Sequence, residues 1–301
     1  MVDGAPDLIQ RAVARMGRAF PKPGAHVERG AAEELPVRAA PSGGPSASHL
    51  GSTVNQRTVV VSPTSLAESG IVLPGSGPSR TVEEFRSLKR HLFANSSQVE
   101  RDSDRASHRI ILVTSAKPGD GKTFVSVNLA LSLAYEKDTR VLLIDADAYR
   151  KSVMTVLGIS AEQGWLDLVS DGSVNAREAI LRTNIPNLAV LPAGAKRAEI
   201  PEIMSSRNME NLLNTLLNED HRRYIIIDSL PCLTSSEPAI LAGLASQTLF
   251  VVAANQTAQL EVQSSLRLLH ASPKVTLILN KAEPMLTEQF GDYGYAYGYS
   301  L

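Results

Sequence analysis

The chain has 301 residues, of which 43% are hydrophobic, 30 are lysine or arginine and 31 are aspartate or glutamate. That length and composition allow one large globular domain or two small ones, and a formal net charge of −1 gives no indication of a surface for nucleic acid or anionic lipid. The single cysteine, Cys232, excludes an internal disulfide framework and is typical of a reducing compartment.

Two N-terminal segments precede the regular pattern of the chain. Residues 7–16, "DLIQRAVARM", space their apolar side chains along one face of a helix. An amphipathic helix is therefore predicted within residues 1–19, and it either packs on its own domain or docks on a partner. Residues 20–80 contain eight of the 17 prolines and are predicted to be a flexible or partly extended linker. Inside this linker, "QRTVVVSPTSLAESGIVLPG" is predicted as a docking strand and a helical turn, with Pro63 limiting the strand.

From residue 81 to residue 283 the pattern becomes that of an α/β domain. Apolar strand-like runs alternate with helical stretches, which are predicted at residues 122–135, 202–217 and 261–270. Continuous apolar strands of this kind are typical of a mostly parallel sheet with helices on both faces, and a ligand then lies at the carboxyl ends of the strands. The predicted strands are "RIILVTS", "VLLIDAD", "NLAVLPAG", "YIIIDSL", "TLFVVAAN" and "VTLILN".

The stretch "ILVTSAKPGDGKTFVSVNLALSLA" has the strand, glycine-rich loop and helix of a P-loop, so the predicted fold class is P-loop NTPase-like. Backbone N–H groups and a helix N-terminus favour a bound phosphate here. Lys122 is predicted to reach the β- and γ-phosphates and Thr123 to bind Mg²⁺. The strict pattern requires glycine where Ala116 stands, and an ordinary strand-to-helix turn is the alternative. The predicted ATP-binding residues of this stretch are Lys117, Pro118, Gly119, Asp120, Gly121, Lys122, Thr123 and Phe124.

Three aspartates at the ends of apolar strands complete a predicted metal site. The run "VLLIDAD" ends in Asp145 and Asp147, and "YIIID" ends in Asp228. Alternate strand residues share a face, so the first two carboxylates point the same way. Mg²⁺ takes one or two carboxylates together with phosphate oxygens and water, which predicts Thr123, Asp145 and Asp228 as its ligands. The alternative is that the aspartates cap the helices that follow, and for Asp147 this alternative is a serious competitor.

Two C-terminal features complete the pattern. Asn280 ends the last predicted strand, where its amide suits the edge of an adenine ring and makes it a further ATP-binding candidate; a turn residue is the alternative. Residues 284–301 are predicted to be a flexible tail whose glycines and small spacers leave its phenols accessible. Its tyrosines alternate with small residues, at Tyr293, Tyr295, Tyr297 and Tyr299.

Taken together, the P-loop "SAKPGDGKT", the acidic strands "LLIDAD" and "IIIDS" and the tyrosine tail resemble the bacterial tyrosine kinases (BY-kinases) of capsule and exopolysaccharide export. The stretches "EEFRSLK", "LPAG" followed by "PEIMSS", and "LNKAEP" match the same family, and the resemblance covers about residues 81–301. The N-terminal stretches "DLIQRAVARM" and "RTVVVSPTSLAESGIVLP" look like those of the tyrosine autokinases of exosortase/PEP-CTERM loci.

This resemblance implies an ATP- and Mg²⁺-dependent protein-tyrosine autokinase. Such an enzyme phosphorylates its own C-terminal tyrosine cluster in trans and regulates exopolysaccharide synthesis and export. The implied catalytic residues are Lys122, Asp145, Asp147 and Asp228. Either Asp145 or Asp147 would accept the phenol proton, because tyrosine is a poor nucleophile unaided.

The resemblance also implies an oligomerisation role for three residues and a phosphate-binding role for a second lysine. Glu83, Arg86 and Lys89 match a motif through which subunits assemble into a ring, although arginine is usual where Lys89 stands. A charge ladder at i, i+3 spacing on a helix surface is the alternative. Lys117 matches the second lysine of partition and septum-placement ATPases, which reaches a phosphate on a neighbouring subunit, and a solvated loop lysine is the alternative. Tyr149 stands where the family usually has an arginine after the acidic pair.

The implied partners are further copies of the chain, the cytoplasmic tail of a membrane chain-length-determinant (polysaccharide co-polymerase) protein and a tyrosine phosphatase, with no nucleic acid. No apolar run approaches the roughly 18 residues that cross a bilayer. The chain is therefore expected in the cytoplasm, associated peripherally with the inner membrane through its partner. Two other functions are kept as alternatives: a partition-type ATPase switch, which leaves the tyrosine tail unexplained, and a non-catalytic regulator that only binds nucleotide.

Overall fold

A computed structural model of the chain describes residues 58–73, 77, 79–99, 109–171, 176–195 and 199–283. The helix predicted at residues 7–16 and the tail predicted at residues 284–301 lie outside the described residues, so both stay predictions. The predicted P-loop and all three predicted metal-site aspartates lie within them.

An eight-stranded sheet runs through the described residues in the order β1-β4-β5-β3-β6-β2-β7-β8. Neighbouring strands are parallel except β4 and β5, which are antiparallel. The predicted mostly parallel sheet is therefore confirmed. The strands are β1 (Thr58–Val59), β2 (Ile110–Ser115), β3 (Arg140–Asp145), β4 (Leu181–Thr183), β5 (Leu188–Leu191), β6 (Arg223–Asp228), β7 (Gln247–Ala253) and β8 (Val275–Asn280).

Helices cover both faces of this sheet. The described helices are α1 (Pro63–Glu68), α2 (Arg80–Val99), α3 (Lys122–Ala134), α4 (Ser152–Leu157), α5 (Trp165–Asp171), α6 (Ala176–Ala179), α7 (Ile200–Met204), α8 (Arg207–Glu219), α9 (Glu237–Leu244) and α10 (Gln259–Leu268). Alternate residues of a strand point to opposite faces. For example, Ile110 and Leu112 of β2 join one core with α5 to α10, whereas Ile111 and Val113 join a second core with α1 to α4.

Part of the predicted linker packs on the domain. Strand β1 pairs with β4, and the side chains of Val61, Leu66 and Ile71 are buried in the second core. Pro63 was predicted to limit a strand, and in the structure it is also the first residue of helix α1. Ser62 caps the first turn of this helix, because its Oγ accepts a hydrogen bond from Ser65 N at 3.2 Å. The packed core therefore begins well before residue 81.

Two further elements differ from the sequence prediction. The single helix predicted at residues 202–217 is wrong, because α7 ends at Met204 and α8 begins at Arg207. Ser206 lies between them in an extended conformation, and its Oγ accepts a hydrogen bond from Met209 N at 3.4 Å as the N-cap of α8. Strand β4 was missed, because three residues are too few to show an alternating pattern.

The central strands place the functional residues at one edge of the sheet. Asp145 at the end of β3 is the register partner of Asp228 at the end of β6, and Asp228 pairs with Val113 of β2 on its other side. Strand β2 leads directly into the P-loop. Among the described residues, no helix combines the length and the apolarity that a membrane span requires.

Candidate functional site

The P-loop connects β2 to α3 through residues 116–121. Gly119 and Gly121 have φ values of +89° and +101°, a region that residues with a Cβ rarely adopt. At Gly121 the neighbouring structure also requires glycine, because an added Cβ would lie 2.0 Å from Asn280 Nδ2. The loop therefore lies tightly against the end of β8, with the N-terminus of α3 behind it, which is the arrangement that favours a bound phosphate.

Lys122, the first residue of α3, brings a buried cation to this loop. Its side chain lies in a residue that is only 9% exposed, and burial lowers its pKa although Asp228 and Asp147 act in the opposite direction. No carboxylate of the described residues lies within ion-pair distance of its ammonium group. A buried ammonium without a paired carboxylate is suited to an anionic ligand.

Asp228 is held in place by two hydroxyl groups of α3. Thr123 Oγ1 donates to Asp228 Oδ2 at 2.7 Å, and Ser126 Oγ donates to Asp228 Oδ1 at 2.9 Å. Burial raises the pKa of Asp228 to about 6 even though both hydrogen bonds favour the charged form. Sequence reasoning found Thr123 and Asp228 but missed Ser126. Its spacing of three residues from Thr123 on a helix could have indicated that the two share a face.

Asp145 lies beside Asp228 but has different surroundings. It is fully buried, its Oδ1 accepts a long hydrogen bond from Asp147 N at 3.2 Å, and the backbone N–H of Met154 also lowers its pKa. Its Oδ2 has no hydrogen-bond partner in the described part of the chain. Burial, and then the charge of Asp228, raise the pKa of Asp145 to about 8. A buried carboxylate oxygen without a donor is unusual and calls for a ligand.

The backbone at Asp145 is fixed from the side by a residue that sequence reasoning missed. The indole Nε1 of the fully buried Trp165, at the start of α5, donates to the carbonyl oxygen of Asp145 at 3.0 Å. Trp165 is the only tryptophan of the chain. No pattern in the sequence connects it to Asp145, because the contact depends on how α5 packs on the sheet.

Asp147 lies just beyond the end of β3 and stabilises a turn, but it does not cap the helix that follows, because the N-cap of α4 is Lys151. Its Oδ1 accepts hydrogen bonds from the backbone N–H groups of Tyr149 at 3.2 Å and Arg150 at 3.1 Å, so one oxygen stabilises the turn before α4. It still lies close enough to raise the pKa of Asp145 and to oppose the pKa lowering of Lys122. The structure therefore brings Asp147 to the site without directing both of its oxygens toward a metal.

The residues of this site fit a divalent cation bound together with a nucleotide. The described residues contain no cluster of three or more histidine, cysteine, aspartate or glutamate side chains that could hold a metal alone. The unpartnered Oδ2 of Asp145, the carboxylate of Asp228 and the Thr123 hydroxyl could supply three oxygen ligands. Mg²⁺ prefers this kind of incomplete oxygen set, which phosphate oxygens and water complete.

Asn280 and Lys117 contact neighbouring protein groups. Asn280 Nδ2 donates to the carbonyl oxygen of Asp120 at 2.9 Å, so one N–H of its amide secures the P-loop, and its second N–H and its Oδ1 remain for the predicted adenine contact. Lys117 Nζ forms an ion pair with Glu261 Oε2 of α10 at 2.8 Å. Phe124 of α3 packs with Phe85 of α2, with ring centroids 6.1 Å apart. Its contact is thus with the helix that carries the predicted ring motif.

The predicted oligomerisation residues are paired within the chain. Glu83 forms an ion pair with Arg86 on α2, and Lys89 forms one with Glu136 just after α3. The Lys89 side chain is only 12% exposed. The Glu83–Arg86 pair corresponds to the alternative of a charge ladder at i, i+3 spacing, whereas Lys89 pairs outside its own helix. The ring assembly stays a prediction. The four tail tyrosines lie outside the described residues.

Comparison with known proteins gives a consistent set of relatives. The family described as AAA domain matches residues 108–281, more than half of the chain. The tyrosine-protein kinase CpsD of Streptococcus pneumoniae is 28% identical over 220 residues, which are 72% of this chain and 93% of that protein. The tyrosine-protein kinase CpsD of Streptococcus agalactiae is 30% identical over 191 residues, which are 62% of this chain and 81% of that protein.

A solved structure supports the fold independently. The crystal structure of the chimerical protein CapA2B2 superposes with a TM-score of 0.62, covering 76% of this chain and 94% of that one at 22% identity. At this level of identity the likeness concerns the fold. It agrees with the mostly parallel sheet described above.

Proposed function

The chain belongs to the family of bacterial tyrosine-protein kinases, and from that membership we propose that it is an ATP- and Mg²⁺-dependent autokinase that phosphorylates its own C-terminal tyrosines. The observation that carries the proposal is the buried Oδ2 of Asp145, which has no partner among the described residues and lies beside Asp228 at the mouth of the P-loop. An acidic pair with an open oxygen next to a buried lysine suits Mg²⁺ and a polyphosphate.

The P-loop and Lys122 would position the nucleotide. The loop's backbone N–H groups and the N-terminus of α3 would hold the phosphates. Lys122 would neutralise charge on the β- and γ-phosphates, since its ammonium is buried and unpaired among the described carboxylates. Phosphoryl transfer requires positioning and charge neutralisation more than covalent help from the protein.

Asp145, Asp228 and Thr123 would hold Mg²⁺. When bound, the ion would neutralise charge that develops on the phosphate oxygens. Asp228 is already oriented by Thr123 and Ser126, so it would keep its place as the ion binds. Asp145 would gain in the ion the partner that its Oδ2 lacks.

The acceptor would be a phenol of the tail of a second copy. Tyrosine has an unperturbed pKa near 10, so a carboxylate must accept its proton as it attacks the γ-phosphate. Asp145 and Asp147 are the candidates. Asp147 supports a turn through one oxygen and keeps the other available, which favours it over Asp145 if Asp145 binds the metal.

Phosphorylation would weaken the interaction between the tail and this acidic site. Each phosphate adds about −1.5 to −2 charges, so four modified tyrosines add roughly −6 to −8. Such a tail is repelled by Asp145, Asp147 and Asp228. We therefore infer that phosphorylation shifts the chain from oligomer toward monomer and so regulates an export machinery, reached through the tail of a membrane partner and reset by a tyrosine phosphatase.

One experiment tests the proposed activity directly. The purified chain is incubated with Mg-ATP, and phosphate is mapped by mass spectrometry in parallel with Lys122→Ala. We expect phosphate on Tyr293, Tyr295, Tyr297 and Tyr299 in the unaltered chain and none in the variant. ATP hydrolysis with an unmodified tail would instead indicate an ATPase switch, and the absence of both activities would indicate a non-catalytic regulator.

A further inference from the structure

Two side-chain carboxylates join the outer part of the P-loop, residues 116–120, to the segment after β7. One belongs to that segment and contacts the loop, and the other belongs to the loop and contacts that segment. Glu261 Oε2 of α10 accepts a hydrogen bond from Lys117 Nζ of the loop at 2.8 Å. Asp120 Oδ1 of the loop accepts one from Thr257 Oγ1, just before α10, at 2.8 Å. Each of the two segments thus supplies one carboxylate acceptor and one hydrogen-bond donor, so the loop and the start of α10 stabilise each other's position.

Asp120 also fixes the position from which Lys117 reaches α10. Its other oxygen, Oδ2, accepts a hydrogen bond from Lys117 N at 3.0 Å, and the Asp120 residue is only 1% exposed. Thr257 Oγ1 in turn accepts from Ala253 N at the end of β7 at 3.1 Å. The backbone of the loop is therefore rigidly attached here, and only the Lys117 side chain is left to change partner.

A backbone hydrogen bond orients the Glu261 side chain independently of Lys117. Its Oε2 accepts a second hydrogen bond from Ala258 N at 2.7 Å, which satisfies one of the free N–H groups at the start of α10. A carboxylate is also favoured at a helix N-terminus. The hydrogen bond from Lys117, followed by the one from Ala258, keeps the pKa of Glu261 below its usual range. The charged acid is thus a fixed anchor for the lysine.

The anchor is weak enough to be displaced. The Lys117 and Glu261 side chains are 34% and 32% exposed, and ion pairs that contact solvent are weak because water and salt screen the two charges. A nucleotide polyphosphate carries several negative charges, so it can compete with a single carboxylate for the same ammonium. Lys117 has no second carboxylate within ion-pair distance among the described residues, so its partner is either Glu261 or a ligand.

We propose that Glu261 is a positioning residue that holds Lys117 on α10 in the nucleotide-free chain and gives it up to nucleotide phosphates. The inference rests on the proposed function, because it requires a polyphosphate at the P-loop. Glu261 would thereby lower the affinity for nucleotide, and the N-terminus of α10 would lose its ion pair whenever nucleotide is bound. Through the Lys117–Glu261 ion pair, nucleotide binding at the P-loop would therefore change the contacts at the N-terminus of α10.

The proposal is tested by the dissociation constants of Mg-ATP and adenosine, measured by titration calorimetry on the full chain. Glu261→Gln keeps an amide oxygen for Ala258 N and removes the charge. We expect it to bind Mg-ATP about two- to fivefold more tightly, which corresponds to the strength of an exposed ion pair. Adenosine, which has no phosphate, should bind unchanged. In a Lys117→Met background, Glu261→Gln should leave the dissociation constant of Mg-ATP unchanged.

The control is an ion pair of similar type at the other end of the strands. Glu219 pairs with Arg223 at 3.4 Å, at the start of β6, and Glu219→Gln should leave Mg-ATP binding unchanged. Equal or weaker binding by Glu261→Gln would overturn the inference, and so would tighter binding that persists without Lys117. Failure of the unaltered chain to bind Mg-ATP would overturn the proposed function as well, whereas normal binding with an unchanged Glu261→Gln would overturn this inference alone.

Discussion

Asp145 and Asp228 are the last residues of neighbouring strands and are register partners in the sheet. Their carboxylates nevertheless have different hydrogen-bond partners. Asp228 accepts hydrogen bonds from two hydroxyl groups, and its pKa is raised to about 6. Asp145 has one long hydrogen bond and one oxygen without a partner among the described residues, and its pKa is raised to about 8. The carboxylate of Asp228 is thus stabilised by hydrogen bonds within the protein. The charged form of Asp145 is destabilised by its burial, and a bound cation can remove that destabilisation.

The largest effect that this comparison predicts is for Asp145→Asn. We expect autophosphorylation to fall by about 10²- to 10³-fold, the usual loss when one preorganised group that stabilises transition-state charge is removed. The metal-free fold should become more stable by about 1–4 kcal/mol at neutral pH, because the folded state must protonate Asp145 or bury its charge, a penalty that a neutral amide of similar shape does not have. Phosphate incorporation and thermal unfolding in a chelator measure the two effects.

The stability gain should depend on pH. The folded-state pKa of Asp145 lies above the unperturbed value of about 3.9, so the folded state binds the proton more tightly than the unfolded state. Wild-type stability from this group is therefore present at low pH and lost as the pH rises from about 4 to about 8. The advantage of asparagine should increase over the same range, and an advantage that shrinks with rising pH would contradict this account.

Asp228→Asn is expected to abolish activity to a similar extent but to change stability in the opposite direction. Thr123 and Ser126 both donate to Asp228, and an amide offers one acceptor oxygen where the carboxylate offers two. Ser126 Oγ also lies 3.0 Å from the carbonyl oxygen of Lys122 and can donate to it instead, so the amide oxygen accepts from Thr123 and the loss is about 0.5–1.5 kcal/mol, the net contribution of one hydrogen bond. If chemical denaturation shows that both asparagine variants are stabilised, the proposed difference between the two carboxylates is incorrect.

Magnesium should act more strongly on the wild type than on Asp145→Asn. Binding to the folded state alone raises the unfolding temperature, and the ion would also remove the unfavourable burial of the Asp145 charge. We expect a smaller Mg²⁺-dependent shift in the variant, measured by thermal unfolding with a saturating nonhydrolysable nucleotide. An equal shift in both proteins would mean that Asp145 does not contact the ion.

The difference between the two aspartates also shows what could be predicted from the sequence. All strands except β4, the P-loop and both acidic strand ends were found because their signals are local: apolar runs, glycines and strand-final carboxylates. The kinase family was found by combining these motifs, and it is confirmed. Ser126, Trp165 and Glu261 were missed because their importance depends on contacts across 102, 20 and 144 residues of chain, which only the packed fold brings together.

Ser126→Ala tests the support of Asp228 with a smaller expected effect. The change removes one of the two donors to Asp228 and leaves the Thr123 hydrogen bond in place. We expect a loss of about 0.5–1.5 kcal/mol in stability, the net contribution of a typical hydrogen bond, and a decrease of a few fold in activity. Ser132→Ala, further along the same helix, is the control and should change neither quantity measurably.

Trp165→Phe is expected to have the smallest effect, because it changes the support of Asp145 without touching its carboxylate. Phenylalanine keeps most of the buried apolar surface of α5 but cannot donate to the carbonyl oxygen of Asp145, which Trp165 Nε1 contacts at 3.0 Å. A hydrogen bond of this kind contributes about 0.5–1.5 kcal/mol, so unfolding should shift modestly. If the indole also sets the position of Asp145, the Mg²⁺ concentration needed for half-maximal autophosphorylation should rise severalfold while the apparent affinity for nucleotide without metal stays constant. A purely structural role would lower stability and leave the Mg²⁺ requirement unchanged.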